Sequence, residues 1–112
     1  MWFSRLFEKR KVEQAPPGAL RRAVVAADYD GIESAIRDGD DIDAYDALGM
    51  TPLLAAVFRG DLRAVNQLLA AGADPNRAQA GDPTATPLWH AAEDFGLTEI
   101  AEAIRHAGGK LK

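Results

Sequence analysis

The segment Thr51-Pro52-Leu53-Leu54-Ala55-Ala56 returns as Thr86-Pro87-Leu88-Trp89-His90-Ala91, 35 positions further along the chain. The same offset carries Leu62, Val65, Leu68 and Leu69 onto Leu97, Ile100, Ala103 and Ile104. Each set is spaced i, i+3, i+6, i+7, one stripe of a helix. Moving back 33 positions from the middle copy gives Tyr29, Ile32, Ala35 and Ile36 at the same spacing. Leu53 then falls on Leu20, Ala56 on Ala23, Gly72 on Gly39 and Asn76 on Asp43. The chain therefore reads as three units, 18–48, 49–81 and 82–112, the first with Gly18-Ala19 in place of Thr-Pro. One such unit cannot bury its apolar stripe alone, so the units must stack.

The chemistry of each unit predicts two helices and a loop. Thr51 and Thr86 are suited to cap a helix, with Pro52 and Pro87 at the first helical position, where no N–H is needed. The first helices are expected over 52–59 and 87–95, narrowed by Ala55, Ala56, Ala91 and Ala92 so that neighbours can approach. Gly60 and Gly96 break the chain back into second helices over 62–71 and 97–107. Gly39, Gly72 and Gly108 stand where a left-handed residue ends a helix. The loop beyond projects towards the next unit as a finger.

This pattern resembles the ankyrin repeat, with its period of about 33 and its Thr-Pro-Leu-His-x-Ala signature. Gly72-Ala73-Asp74-x-Asn76 and Asp46-Ala47-Leu48-Gly49-Met50-Thr51 match as well. Leu54 and Trp89 replace the signature histidine, and the last copy has Phe95-Gly96 where the middle one has Gly60-Asp61. The resemblance implies an all-α solenoid of three helix-turn-helix repeats with finger loops. It also implies binding of another protein through the finger tips and the exposed face of each first helix. Carried onto this chain, those positions are Ala47, Leu48 and Met50 on the finger, and Phe58 and Arg59 on the middle helix. Glu93 and Asp94 correspond on the last helix, and Val25 and Ala26 on the first. Leu48, Met50 and Phe58 beside Arg59 would form a cluster of the residue types enriched at interfaces. The competing reading packs Leu48 and Met50 against the next finger, with Phe58 beneath it. Trp89 is expected in the core, and Glu33, Arg37, Arg63, Asn66, Gln67, Glu99 and Glu102 on a solvated back face. The finger Arg77 to Ala85 is two residues longer than its predecessor.

Composition agrees and narrows the function. The 112 residues are 47% hydrophobic and only 7% aromatic, a balance for closely packed helices. The net charge of −4 is lopsided: residues 1–17 carry +2 and the remainder −6, so a phosphate backbone would be repelled and nucleic acid is not an expected partner. With no cysteine, disulfides and thiol chemistry are excluded. The acidic run Asp38, Asp40, Asp41, Asp43, Asp46 fails the calcium-loop register, because Ile42 and Met50 fall at ligand positions. His90 with Glu93 and Asp94, and Glu102 with His106, lack a third convergent ligand, so each histidine reads as a surface or partly buried group and not a metal ligand. Ser4 and Ser34 lie in no nucleophile elbow, and no phosphate loop is present. No catalytic residue, metal or cofactor is nominated. A cytoplasmic monomer is expected.

Residues 1–17 stand outside the repeats. Trp2, Phe3, Leu6 and Phe7 share one helical face, with Arg5, Lys9 and Lys11 mostly elsewhere, and Pro16-Pro17 ends the helix. This amphipathic helix either folds back as a cap over the first repeat or lies on a membrane surface; the cap is favoured. The function readings are an adaptor or inhibitor, an immunity-type protein neutralising a toxin (suggested by the small bacterial-type stand-alone ankyrin proteins), and a membrane-surface scaffold.

Overall fold

Thr51 and Thr86 act as their positions predict. Their hydroxyls accept from the backbone N–H groups of Leu54 and Trp89, both at 3.1 Å, and a proline follows each. A cap of this kind stabilises a helix end by about 1 kcal/mol. The computed structural model describes residues 18–111, and within them the chain forms helices and no strand. They are α1 (Ala19–Val25), α2 (Tyr29–Arg37), α3 (Pro52–Phe58), α4 (Leu62–Ala70), α5 (Pro87–Trp89) and α6 (Thr98–His106). A wider turn, His90–Asp94, continues α5. The amphipathic helix expected at residues 1–13 lies outside the described residues.

The helices pair as α1–α2, α3–α4 and α5–α6, and like packs on like: α1 on α3 on α5, and α2 on α4 on α6. The predicted stripes make the shared core. Leu20, Val24, Ile32, Leu53, Val65, Leu68 and Ile104 are almost fully enclosed. Leu54, at the signature histidine position, is enclosed too. Gly39, Gly72 and Gly108 follow the outer helices with positive φ, as predicted.

Two departures are instructive. The degenerate first repeat lacks a capping threonine, and Asp40 supplies the acceptor: its Oδ2 takes the N–H of Leu20 at 2.8 Å. At the corresponding inner-to-outer break, α1 ends on Ala27 at φ 55°, where the later repeats have glycine.

The second departure concerns the last repeat. In the middle repeat the Asp61 N–H reaches the Ala56 carbonyl at 3.1 Å; in the last, Phe95 reaches back to His90 at 2.9 Å and Leu97 to Ala91 at 2.6 Å. One extra residue has been absorbed as a π turn, whose i→i+5 bonds accommodate such an insertion. The buried positions of α6 are Ile100, Ala101 and Ile104, answering Ala64, Val65 and Leu68. The repeat offset is thus 36 in the outer helix, and the gapless 35-residue alignment fails there. Asp28 and Asp61 cap α2 and α4 through the N–H groups of Gly31 and Ala64. Leu97 occupies the equivalent place and makes no such bond.

Candidate protein-binding surface

The finger between α2 and α3 is organised by one carboxylate. Asp46 Oδ1 accepts the N–H groups of Leu48 at 2.8 Å and Met50 at 2.9 Å, while Oδ2 takes the Arg21 guanidinium from α1. Burial pulls the Asp46 carboxyl upward, but the bonds from Met50, Arg21 and Leu48 outweigh it and hold its pKa below the ordinary value. Asp40, Asp41 and Asp43 of the acidic run accept backbone N–H groups as well. Asp41 accepts the Asp43 N–H, and Asp43 accepts the Asp74 N–H of the next repeat at 2.9 Å. Asn76 repeats that step one unit on, taking the Lys110 N–H at 2.8 Å. These aspartates are the joints of the fingers.

Adjacent fingers lie against each other. The Gly49 carbonyl accepts the Ala80 N–H at 2.9 Å, and the Tyr45 hydroxyl donates to the Ala78 carbonyl at 2.6 Å, with the Arg77 guanidinium 4.1 Å over the Tyr45 ring. A Cβ on Gly49 would stand 2.9 Å from that of Ala80, so only glycine fits beside the second finger. The two additional residues of the second finger form a side turn led by Asp82. Hydrogen bonds from the Thr84 hydroxyl and N–H hold the Asp82 carboxyl below its usual value.

The residues nominated for binding fall into two groups. Ala47 and Leu48 are exposed at the first finger tip, Leu48 at 72%, and Met50 is half-buried just before Thr51. Phe58 and Arg59 stand exposed at the other end of α3, about 10 Å away at 1.5 Å per residue. The expected cluster of Leu48, Met50 and Phe58 is therefore two patches.

Phe58 belongs to a cluster whose other members come from the last repeat. Its ring meets His90 edge-on at 4.6 Å and Phe95 at 5.1 Å, and Trp89 meets His90 at 4.9 Å. Phe58, Trp89 and Phe95 are 45%, 38% and 41% exposed, whereas His90 is buried beneath them. Trp89 is thus a surface residue, contrary to the core role expected from its size: Leu88 and Ala91 take the inward positions of that helix. Val25, 33 positions before Phe58, extends the exposed apolar row into the first repeat.

His90 is held on one side only. Its Nδ1 lies 3.1 Å from Asp94 Oδ2, while Nε2 is buried with no partner among the described residues. A histidine on or near the surface was expected; the three exposed rings bury it. Asp94 turns back to His90, and Glu93 remains exposed. Sequence reasoning missed Phe95 because residues five apart diverge on an α-helix; the π turn lays Phe95 alongside His90, ring centroids 6.0 Å apart. The available signal was the displaced glycine: Gly96 stands 36 positions after Gly60, not 35.

The outer side differs from a plain solvated face at one point. Gln67 Nε2 donates to the Tyr29 carbonyl at 3.1 Å and approaches Glu33 Oε1 at 3.3 Å, joining α4 to α2. The Tyr29 hydroxyl donates to the capping Asp61 at 2.9 Å, and this bond, with burial and the Asp61 charge, raises the tyrosine pKa. Among the described residues no set of three His, Asp or Glu side chains could hold a metal ion, and no helix is long and apolar enough to cross a membrane.

Stacked helical hairpins joined by paired fingers, with an aromatic patch facing outward, define a repeat solenoid, a class built around extended binding surfaces. Residues 20–111 match a family model of ankyrin repeats in three copies. The chain belongs to the ankyrin-repeat family, whose repeats are protein–protein interaction modules. Similar proteins include two from Arabidopsis thaliana, named "Putative E3 ubiquitin-protein ligase XBAT35" and "Putative E3 ubiquitin-protein ligase XBAT34". They are 33% identical over 100 residues and 38% identical over 99 residues, in each case 88% of this chain. The chain spans only 22% and 26% of their lengths. Both are plant proteins and far longer, so neither supports the small bacterial type suggested by size.

Proposed function

We propose that this chain captures a partner protein through the aromatic patch of Phe58, Trp89 and Phe95, with the first finger as a second contact. The observation that carries this reading is three large rings, each more than a third exposed, gathered over a buried histidine with an unpartnered nitrogen. Exposed aromatic side chains placed together are the anchors that interfaces use. Arg59 and Glu93 at the margin supply a charged rim. The partner fits an apolar or aromatic side chain between Phe58 and Trp89, and its polar groups meet the rim.

The likeness to two proteins named as ubiquitin ligases supports a capturing role for the shared region. Whether capture recruits the partner, as in an adaptor, or silences it, as in an inhibitor or immunity-type protein, depends on what Phe58 covers on the partner. The test is affinity purification with quantitative mass spectrometry, comparing the unsubstituted chain with Phe58→Asp, Trp89→Asp and the outer-face control Arg37→Glu. We expect one or more proteins retained by the first and by the control, and lost from both aspartate variants. Undiminished retention by folded Phe58→Asp and Trp89→Asp chains would refute the assignment.

A further inference from the structure

The aromatic patch has an uneven charged surround. Glu93 and Asp94 stand between Trp89 and Phe95 in the chain, and both are exposed. Asp94 is engaged with the buried His90, its Oδ2 lying 3.1 Å from Nδ1. Glu93 makes no hydrogen bond or ion pair among the described residues. Asp82, in the side turn of the second finger, comes within electrostatic reach of the same histidine: the bonds from Thr84 are the chief cause of its lowered pKa, and the imidazole is a further one. Carboxylates from a finger and from the last inner helix thus border the rings of the last repeat. Arg59 follows Phe58 on α3, while Arg21 and Arg77 are occupied by Asp46 and the Tyr45 ring.

We propose that the partner offers this patch a short basic segment, an apolar or aromatic anchor with lysine or arginine one or two positions away. The inference rests on the capturing role given to the patch above and names the chemistry of what is captured. With the anchor between Phe58 and Trp89, a residue one or two positions along an extended segment is displaced by about 3–7 Å. The Phe95 ring lies within that span, its centroid 5.1 Å from that of Phe58. A cation there meets a ring that is 41% exposed, with Glu93 two residues away in the chain. Ring faces attract ammonium and guanidinium groups, and the carboxylates add to that attraction. An acidic segment would face Asp82, Glu93 and Asp94 with Arg59 in compensation. The net charge of −6 outside residues 1–17 favours approach by a basic partner at longer range.

The test selects binders to the full chain from a library of random short peptides and measures their affinities by fluorescence anisotropy in low and high salt. Phe58→Ala, which adds no charge, Glu93→Gln and Glu93→Lys are compared with the unsubstituted chain, each checked by far-UV circular dichroism. We expect the selected peptides to carry lysine or arginine beside an apolar or aromatic residue and to be lost from Phe58→Ala. Their affinity should fall several-fold in Glu93→Gln, further in Glu93→Lys, and with rising salt. Glu93→Gln keeps the side chain's shape and gives the readout if the lysine disturbs folding. Peptides that need Phe58 but are neutral or acidic, or are indifferent to Glu93 and salt, overturn the basic segment and leave the capturing patch standing. Peptides indifferent to Phe58→Ala overturn both. An empty selection, as when the patch is covered from within the chain, also overturns the segment.

Discussion

Asp46→Ala is expected to destabilise the chain by about 2 kcal/mol, and Asp46→Asn by about half of that. The carboxylate accepts two backbone N–H groups at 2.8 and 2.9 Å and pairs with Arg21. A hydrogen bond to a charged group contributes about 1.5–3 kcal/mol when protected from water. Here the finger is partly open, so water recovers some of each loss, and the Arg21 side chain is 41% exposed, which screens the ion pair to about 0–1 kcal/mol. Asparagine keeps an acceptor at the Oδ1 position for Leu48 and Met50 but puts an NH2 donor where Oδ2 accepts from Arg21, so it loses the charge and that one exposed bond. The pH dependence follows from the lowered pKa of Asp46. A carboxyl depressed in the folded state contributes fully above its unfolded value of about 3.9 and loses that contribution as pH falls through the folded value. Urea unfolding is followed by far-UV circular dichroism, at neutral pH and in steps down through the carboxylate range. The gap in stability between the unsubstituted chain and the Asp46→Asn variant should close in acid. Equal losses for the two substitutions, or a gap that persists at acid pH, would refute the carboxylate's role as organiser of the finger.

Ala27→Gly should stabilise by about 0.5–1 kcal/mol, because a left-handed alanine costs about 1–2 kcal/mol and glycine returns part of that as unfolded-chain entropy; thermal melts measure it. Gly49→Ala should cost more than Gly72→Ala in the same assay. Both have positive φ, but a Cβ at Gly49 would meet Ala80 whereas one at Gly72 meets nothing within 4 Å. Leu68→Ala, in the middle of the shared core, should cost about 2–5 kcal/mol and lower the urea midpoint with little change in slope. Phe58→Asp should cost about 1–3 kcal/mol in the same assay, because the ring loses its edge contacts with His90 and Phe95, yet leave the chain folded while abolishing partner retention.

The Thr-Pro starts, the glycine ends and the apolar stripes were legible in the sequence because each depends on local chemistry that a few residues carry. The helix ends came out one residue long, since Arg59, Ala71, Phe95 and Ala107 are the capping residues and not the last helical ones, and the last outer helix also starts one residue later than expected, after its cap Leu97. The one-residue slip in the last repeat was hidden by the composition of α6. Leu97, Ile100 and Ile104 satisfy one register and Ile100, Ala101 and Ile104 the other, so periodicity alone accepts both. Trp89 was misjudged from residue type: the equivalent Leu54 one repeat earlier is enclosed, whereas Trp89 stands in the last repeat, with none stacked beyond it among the described residues. The use of the acidic run as finger joints needs partners as far as 31 residues away, such as Asp74 for Asp43, which no local pattern reveals.

The same inserted residue that obscures the register builds the patch. It brings Phe95 beside His90 and against Phe58, and shifts the outer helix so that Leu97, instead of an aspartate, stands at the cap. A missing cap costs about 0.5–2 kcal/mol, and a buried, unpartnered histidine nitrogen adds to that cost. Local rules of stability are broken in the last repeat, as they are at the left-handed Ala27 and at the buried Gln67 Oε1, which has no partner among the described residues; the first two repeats keep their aspartate caps. Breaks of this kind concentrate where a surface is used. An insertion in a finger would have been absorbed at the surface, as the side turn of Asp82 shows. This one sits inside a helix of the core and adds Phe95 to the exposed rings of Phe58 and Trp89, which is the physical reason for placing the partner's main contact there and only a second one on the first finger.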